Sequence, residues 1–403
     1  MSQKYVITDL NIQNKDVLFC GLYEEHKLIE VNLFSKQTDR VQLNAIYIAR
    51  VSQVVSSLQA AFVDIGDGQI CYLPLSDTLH DHVIYVKRIS KNKPLVQGDE
   101  IVVQVVKEAI KTKNPQVTTK LSLAGLASVV CYGDQRLGIS NKLAQEERQK
   151  LRELLQPYYD GSVGIIVRTN AIHVDEQLLL QEVDSLSGQL KEIIRVAPGR
   201  TAFSCLYRPS EEYIRILMDQ NLEVLDEVIT DQPEIYQKLL DFARKNPSAG
   251  LDEKLICYAD PLLELKNLYG IDRDLERALN TKVWLKSGAN LLIEPTEALT
   301  VIDINSSKNS SKKKDPAVHF KINCEAAEMI AKQLRLRNIS GIIIIDFIDM
   351  QSEEEKEQLI LLMKRLLKSD KVPCNVVDFT ALGLMELTRK KVRPSLRQQF
   401  LEI

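Results

Sequence analysis

Apolar residues in the first forty positions fall in short β-branched or alternating runs. Residues 5–7, 16–20 and 27–34 read as strands. The same texture continues from 44 to 123, with candidate strands at 46–55 (IYIARVSQVV), 60–65, 69–75, 100–108 (EIVVQVVKE) and 117–123. Five short strands with a Gly-rich turn predict a small OB-type barrel.

The register of one hairpin follows from its turn. Gly66-Asp67-Gly68 is a natural three-residue connection. Pairing across it sets residue 65 opposite 69, and so Phe62 opposite Tyr72. Period-2 alternation then gives Val63, Ile65, Cys71 and Leu73 one face, the expected core, and Phe62 and Tyr72 the other. Two neighbouring rings on that outer face either pack under a loop or form a stacking platform for bases. The basic run Lys107, Lys111, Lys113 and Lys120, opposed only by Glu108, favours contact with RNA.

Further along, strand and helix patterns mix. Residues 145–155 (QEERQKLRELL) predict a solvated amphipathic helix, 162–169 (SVGIIVRT) a buried strand ending in Arg-Thr, and 178–196 another helix. Gly199-Arg200 and Pro209 punctuate a hinge. Breaks at Pro233, residues 247–250 and Pro261 divide a less informative block from 211 to 280.

From 281 to 400 the pattern predicts an α/β layer with at least two parallel strands. Residues 298–305 (ALTVIDIN) read as a strand, followed by a lysine-rich loop at 306–315 (SSKNSSKKKD). A helix over about 318–337 has Ala326, Ala327, Ile330, Ala331 and Leu334 on one face. Residues 341–350 (GIIIIDFIDM) read as a central strand buried on both faces. The helix at about 353–368 is acidic at its start and basic at its end, as its dipole favours.

Composition narrows the class. The chain has 403 residues, 45% hydrophobic and 27% charged, the profile of a folded protein of about two to four domains. No apolar run reaches the roughly 18–20 residues that span a bilayer, and the first ten residues lack the regions of a signal peptide. A cytoplasmic protein without a membrane span is expected. The seven cysteines form no CxxC pair, so neither a disulfide framework nor a cysteine zinc site is readable. The net charge of −3 gives no hint of a nucleic-acid partner, but the local lysine clusters do.

Candidate chemistry centres on Asp303, Asn305 and Asp346. Asp303 and Asn305 are two apart on one strand and share a face. Asp346 follows four isoleucines, where an acid is costly unless paired or bound to a cation. Two carboxylates and an amide at the polar ends of adjacent parallel strands suit a hard ion such as Mg²⁺ that keeps several waters. Such an ion acidifies water and neutralises a phosphodiester. Lys308, Lys312, Lys313 and Lys314 would hold the negative backbone beside it.

The stretches 298–306 (ALTVIDINS), 323–337 (NCEAAEMIAKQLRLR) and 341–350 closely resemble the signature segments of the ribonuclease E/G family. Residues 60–75 (AAFVDIGDGQICYLPL), 122–125 (SLAG), 164–169 (GIIVRT) and 384–396 (LMELTRKKVRPSL) match in the same order. The resemblance implies an α/β and β multi-domain fold. Ribonuclease-H-like and deoxyribonuclease-I-like subdomains would carry an inserted S1-type OB barrel and a 5′-sensor subdomain. On this chain they fall at 1–38 with 212–280 (ribonuclease-H-like), 39–121 (S1-type OB), 122–211 (5′ sensor) and 281–403 (deoxyribonuclease-I-like).

The resemblance further implies a Mg²⁺-dependent endoribonuclease, with Mn²⁺ as an alternative ion. It would cut single-stranded, A/U-rich RNA to 5′-phosphate and 3′-hydroxyl ends, in rRNA and tRNA processing and mRNA decay. Asp303 and Asp346 would bind the metal and Asn305 support them. Phe62, Tyr72, Lys107 and Lys113 fall where the family grips RNA. Arg168 and Thr169, with backbone near Gly125 and Val129, fall where it binds a 5′-monophosphate. The family's CPxC zinc-link motif is not found after the RPSL stretch, so no zinc is expected. Any homo-oligomer is expected to use other contacts, as in a short, ribonuclease-G-like member. Pro373 replaces a basic residue of the 5′-phosphate site, for which Lys371 is the nearest substitute, and Thr380-Ala381 replaces a Ser-Arg pair. The competing expectation is an RNA-binding or ribosome-associated protein of the same fold with an idle site.

Overall fold

The computed structural model describes residues 2–36, 41–79, 82–90, 95–107, 114–134, 136–306, 316–350 and 352–403. The chain forms two compact units. One comprises Met1–Lys36, Val224–Phe242 and Asp252–Ile403, the other Gln37–Glu223 and Ala243–Leu251. Mixed α/β structure fills both.

The second unit contains a closed barrel. Ile46–Val55 pairs antiparallel with both Ala60–Asp64 and Glu100–Lys107. The circuit runs on through Ile70–Pro74 and Gln116–Thr118. Five strands thus close on themselves without a free edge, as in OB-type barrels. Ala49, Val51, Val63, Cys71, Leu73, Ile101, Val103 and Val117 fill the interior. The Gly66-Asp67-Gly68 turn holds all three residues at positive φ (124°, 51° and 71°), which glycine adopts freely and Asp tolerates. Phe62 lies opposite Tyr72, and Val63, Cys71 and Leu73 are fully buried, in the register the turn dictates.

The segment expected as one strand at 117–123 is two. Gln116–Thr118 stays in the barrel, while Ser122–Ala124 joins a separate four-stranded sheet with Ser128–Cys131, Gly164–Val167 and Leu137–Ile139. Where the chain turns between them, Thr118, the last residue of the barrel strand, donates its Oγ1 to Asp77 Oδ2 at 2.7 Å, and Thr119 Oγ1 donates to Asp77 O. Helices Gln145–Leu155 and Glu176–Val196 bury Leu151, Leu155, Leu179 and Val183 against this sheet.

The first unit holds two sheets. One runs Leu255–Cys257, Leu225–Thr230, Gln3–Ile12, Lys15–Glu24, Lys27–Ser35, with the first three strands parallel and the rest antiparallel. Leu396 and Ile403, on and just after the Leu396–Glu402 helix, join the core of this sheet. The other is six-stranded, in the order Lys282–Trp284, Asn290–Pro295, Leu299–Asn305, Gly341–Asp346, Met385–Arg389, Cys374–Phe379. Leu299–Asn305 and Gly341–Asp346 are parallel neighbours, joined by the Pro316–Leu336 helix.

The Pro316–Leu336 and Glu353–Lys368 helices supply Ala326, Ala327, Ile330, Leu334, Leu359 and Met363 to one core with Ile343 and Ile345. The Glu353–Lys368 helix opens on three glutamates and is capped by Ser352 Oγ, which accepts from Glu354 N at 3.2 Å. The expectation that 341–350 is buried on both faces is corrected here. The strand stops at Asp346, and Ile342 is 50% exposed while Ile343 and Ile345 are fully buried. Both helices pack on one face, so alternate isoleucines look outward on an open face.

Candidate active site

That open face carries the carboxylates. In the parallel pairing of Leu299–Asn305 with Gly341–Asp346, Asp303 stands directly opposite Asp346. Register partners share a face, so the two side chains project together. Ile302 and Ile304 point into the core, which fixes Asp303 and Asn305 on the outer side. Asp303 is half-buried, and Asn305 and Asp346 are exposed. Asn305 Nδ2 donates to Asp303 Oδ2 at 2.6 Å and so orients that carboxylate.

Like charge shapes the pair. Asp346 is held above the ordinary carboxylate range by desolvation first, then by the negative charges of Asp303 and Asp349. Among the described residues no cation of the protein offsets these effects at Asp346. This is the donor chemistry a hard divalent cation relieves: two carboxylates in register on one sheet face, one half-buried and one exposed. Among the described residues no group of three or more His, Cys, Asp or Glu is arranged to hold a metal. The protein would thus offer two carboxylates and the Asn305 amide, a sparse set that fits an ion retaining its own water. The lysines at 308 and 312–314 lie outside the described residues.

Sequence reasoning did not find the residue that holds the segment after Asp346. Asn323 is fully buried on the Pro316–Leu336 helix. Its Nδ2 donates to Ile348 O at 2.7 Å, and its Oδ1 accepts from Ile348 N at 3.0 Å. A side-chain amide thereby replaces a strand partner just beyond the carboxylate. A polar Asn on an otherwise apolar helix face was the available signal.

The barrel brings its candidate residues into one row. Phe62 and Tyr72 meet edge to face, with centroids 6.2 Å apart and ring planes at 75°. Gln116 lies opposite Tyr72 and also opposite Lys107, so Lys107 continues the same cross-strand row. Both rings are half-buried and Lys107 is exposed. Lys111 and Lys113 lie outside the described residues. Lys120 is exposed beside Asp77, 3.8 Å away.

Arg168 follows the Gly164–Val167 strand. Its Nη1 donates to Gly125 O at 2.9 Å, and its Nη2 pairs with Asp219. Thr169 Oγ1 lies 3.0 Å from Ser140 Oγ, and Val129 lies opposite Ile166 in the sheet. The amides after Gly125 already have a partner. Glu182 accepts from Leu126 N (2.9 Å), Ala127 N (3.0 Å), Ser128 N (2.8 Å) and Ser128 Oγ (2.7 Å). This close approach explains the glycine, since a Cβ at 125 would meet Glu182 Cδ at 2.5 Å. Neither Glu182 nor Asp219 was singled out from the sequence. Lys371 is engaged too, with Nζ 3.0 Å from Glu30 Oε1.

A profile of the ribonuclease E/G family matches residues 122–392. The chain is 34% identical over 389 residues to ribonuclease G of Haemophilus influenzae, covering 93% of this chain and 78% of that one. It is 35% identical over 365 residues to ribonuclease G of Escherichia coli K12, covering 87% and 73%. With ribonuclease E of Synechocystis it shares 32% over 371 residues, 90% of this chain and 54% of that one.

Proposed function

The chain belongs to the ribonuclease E/G family, and on that premise we propose that it hydrolyses single-stranded RNA internally, using a divalent cation held by Asp303 and Asp346. The observation that carries this reading is the register pairing of those aspartates on an open sheet face, with Asn305 bonded to Asp303. Bound there, Mg²⁺ or Mn²⁺ would supply an acidified water and neutralise charge on the phosphodiester. Asp303 and Asp346 would hold the ion, and Asn305, bonded to Asp303, would fix the orientation of that carboxylate. Water gives up a proton to solvent as it adds to phosphorus, the bond to the 3′ oxygen breaks, and that oxygen takes a proton from solvent. The products are 5′-phosphate and 3′-hydroxyl ends.

The barrel row of Phe62, Tyr72 and Lys107, with Lys113, grips A/U-rich single strands by stacking and charge. Arg168 and Thr169, with the backbone near Gly125 and Val129, receive a 5′-monophosphate. In this reading 1–38 with 212–280 is the ribonuclease-H-like part, 39–121 the S1-type barrel, 122–211 the 5′ sensor and 281–403 the deoxyribonuclease-I-like part. The setting is cytoplasmic RNA processing and decay. Among the described residues no helix is long and apolar enough to cross a membrane.

The test is cleavage of an A/U-rich single strand with and without Mg²⁺, alongside Asp303→Asn and Asp346→Asn. Each substitution should slow cleavage ~100-fold or more, since even outer partners of a metal are worth about 10–100-fold. Cleavage indifferent to both would reject the assignment.

A further inference from the structure

The chain contains a single tryptophan, Trp284, and it is 62% exposed. An indole left in water forgoes one of the largest burial gains any side chain offers, so its position needs a reason. Trp284 ends Lys282–Trp284, the edge strand of the six-stranded sheet.

Register fixes where it faces. Trp284 lies opposite Asn290, and Asn290 opposite Asn305. One row away, Lys282 lies opposite Leu292, Leu292 opposite Asp303, and Asp303 opposite Asp346. Directly opposed residues share a face, so Trp284 and Lys282 stand on the open face that carries Asp303, Asn305 and Asp346. The indole's strand is two strand spacings from Asn305, about 10 Å. Lys282 Nζ sits 4.3 Å from the indole centroid, which orients the ring and sets positive charge beside it. An exposed aromatic plane, an adjacent ammonium and a nearby carboxylate pair form the pattern of a single-strand contact beside a phosphate site.

We propose that Trp284, with Lys282, is a base-stacking subsite for the nucleotide next to the phosphodiester held at Asp303 and Asp346. This rests on the endoribonuclease reading above and adds a contact on the catalytic sheet itself. Every base has a π-face, so the indole contributes affinity and alignment without a strict sequence code, while Lys282 meets the backbone.

The lone indole makes its own reporter. The full chain carrying Asp303→Asn, kept in EDTA so that RNA stays intact, is titrated with a short labelled single-stranded oligoribonucleotide. Indole emission is followed on the protein and anisotropy on the RNA. Saturable quenching that tracks anisotropy is the expected result. In the same background Trp284→Ala should weaken binding roughly 5- to 100-fold, one base–aromatic stack, and Trp284→Tyr should recover most of it. Unchanged emission and unchanged affinity in Trp284→Ala, with RNA bound, would overturn the subsite and leave the nuclease reading standing. Emission that follows protein concentration and light-scattering mass instead of RNA would make the ring a contact between copies and also overturn it. A wild-type chain that neither binds nor cuts RNA would remove both proposals.

Discussion

Asp346 is the residue at which the proposed cation would compete with a proton. Burial and the neighbouring Asp303 and Asp349 raise its affinity for a proton above the ordinary value of 3.8. The folded-state pKa thus exceeds the unfolded one. Its contribution to stability is full below the unfolded value, declines as pH rises and is gone above the raised folded value. Thermal unfolding in EDTA should therefore show a loss of stability across that window that Asp346→Asn lacks. The proposed cation would reverse the sign, because a ligand carboxylate must be deprotonated. At neutral pH the ion should raise the melting temperature of the wild type and not of the variant. Superimposable pH profiles in EDTA would argue that the two aspartates do not sense each other. The sequence spaced Asp303 and Asn305 correctly on one face but was silent on Asn323 and Glu182. Their partners are backbone groups brought near by tertiary folding, and such contacts leave no periodicity to read.

At the scale of elements, turn chemistry proved the most legible signal. Three residues at positive φ set the register of a whole hairpin, and with it the edge-to-face meeting of Phe62 and Tyr72. Phe62→Ala should weaken binding of single-stranded RNA by roughly 1–3 kcal/mol, the size of one base stack. Equal affinity in a filter-binding or anisotropy assay would mean that the ring only packs. Helix Glu353–Lys368 was legible for a different reason, because its cap and its charge gradient are local. The isoleucine run misled, since four identical residues in a row hide which alternate pair is inside. Only the placement of both helices on one face distinguishes Ile342 from Ile343.

At the scale of the molecule, the candidate carboxylates belong to one unit, and the barrel rings and Arg168 to the other. Arg168 divides its guanidinium between Gly125 O and Asp219, so a terminal phosphate bound there as proposed would have to share or displace that carboxylate. Arg168→Ala should narrow the rate gap between 5′-monophosphorylated and 5′-hydroxyl RNA by roughly tenfold, one charge-assisted bond. An unchanged gap would reject the sensor role. The connectivity of the units has a consequence for how the protein is made. Gln3–Ile12 awaits its parallel neighbour Leu225–Thr230 across the whole Gln37–Glu223 segment, and Leu33 N awaits Gln399 Oε1, 2.8 Å away in the finished fold. A ribosome therefore releases Gln37–Glu223 before the flank of Gln3–Ile12 is paired, and the flank of Lys27–Ser35 stays bare, open to wrong partners, until residues 396–403 emerge.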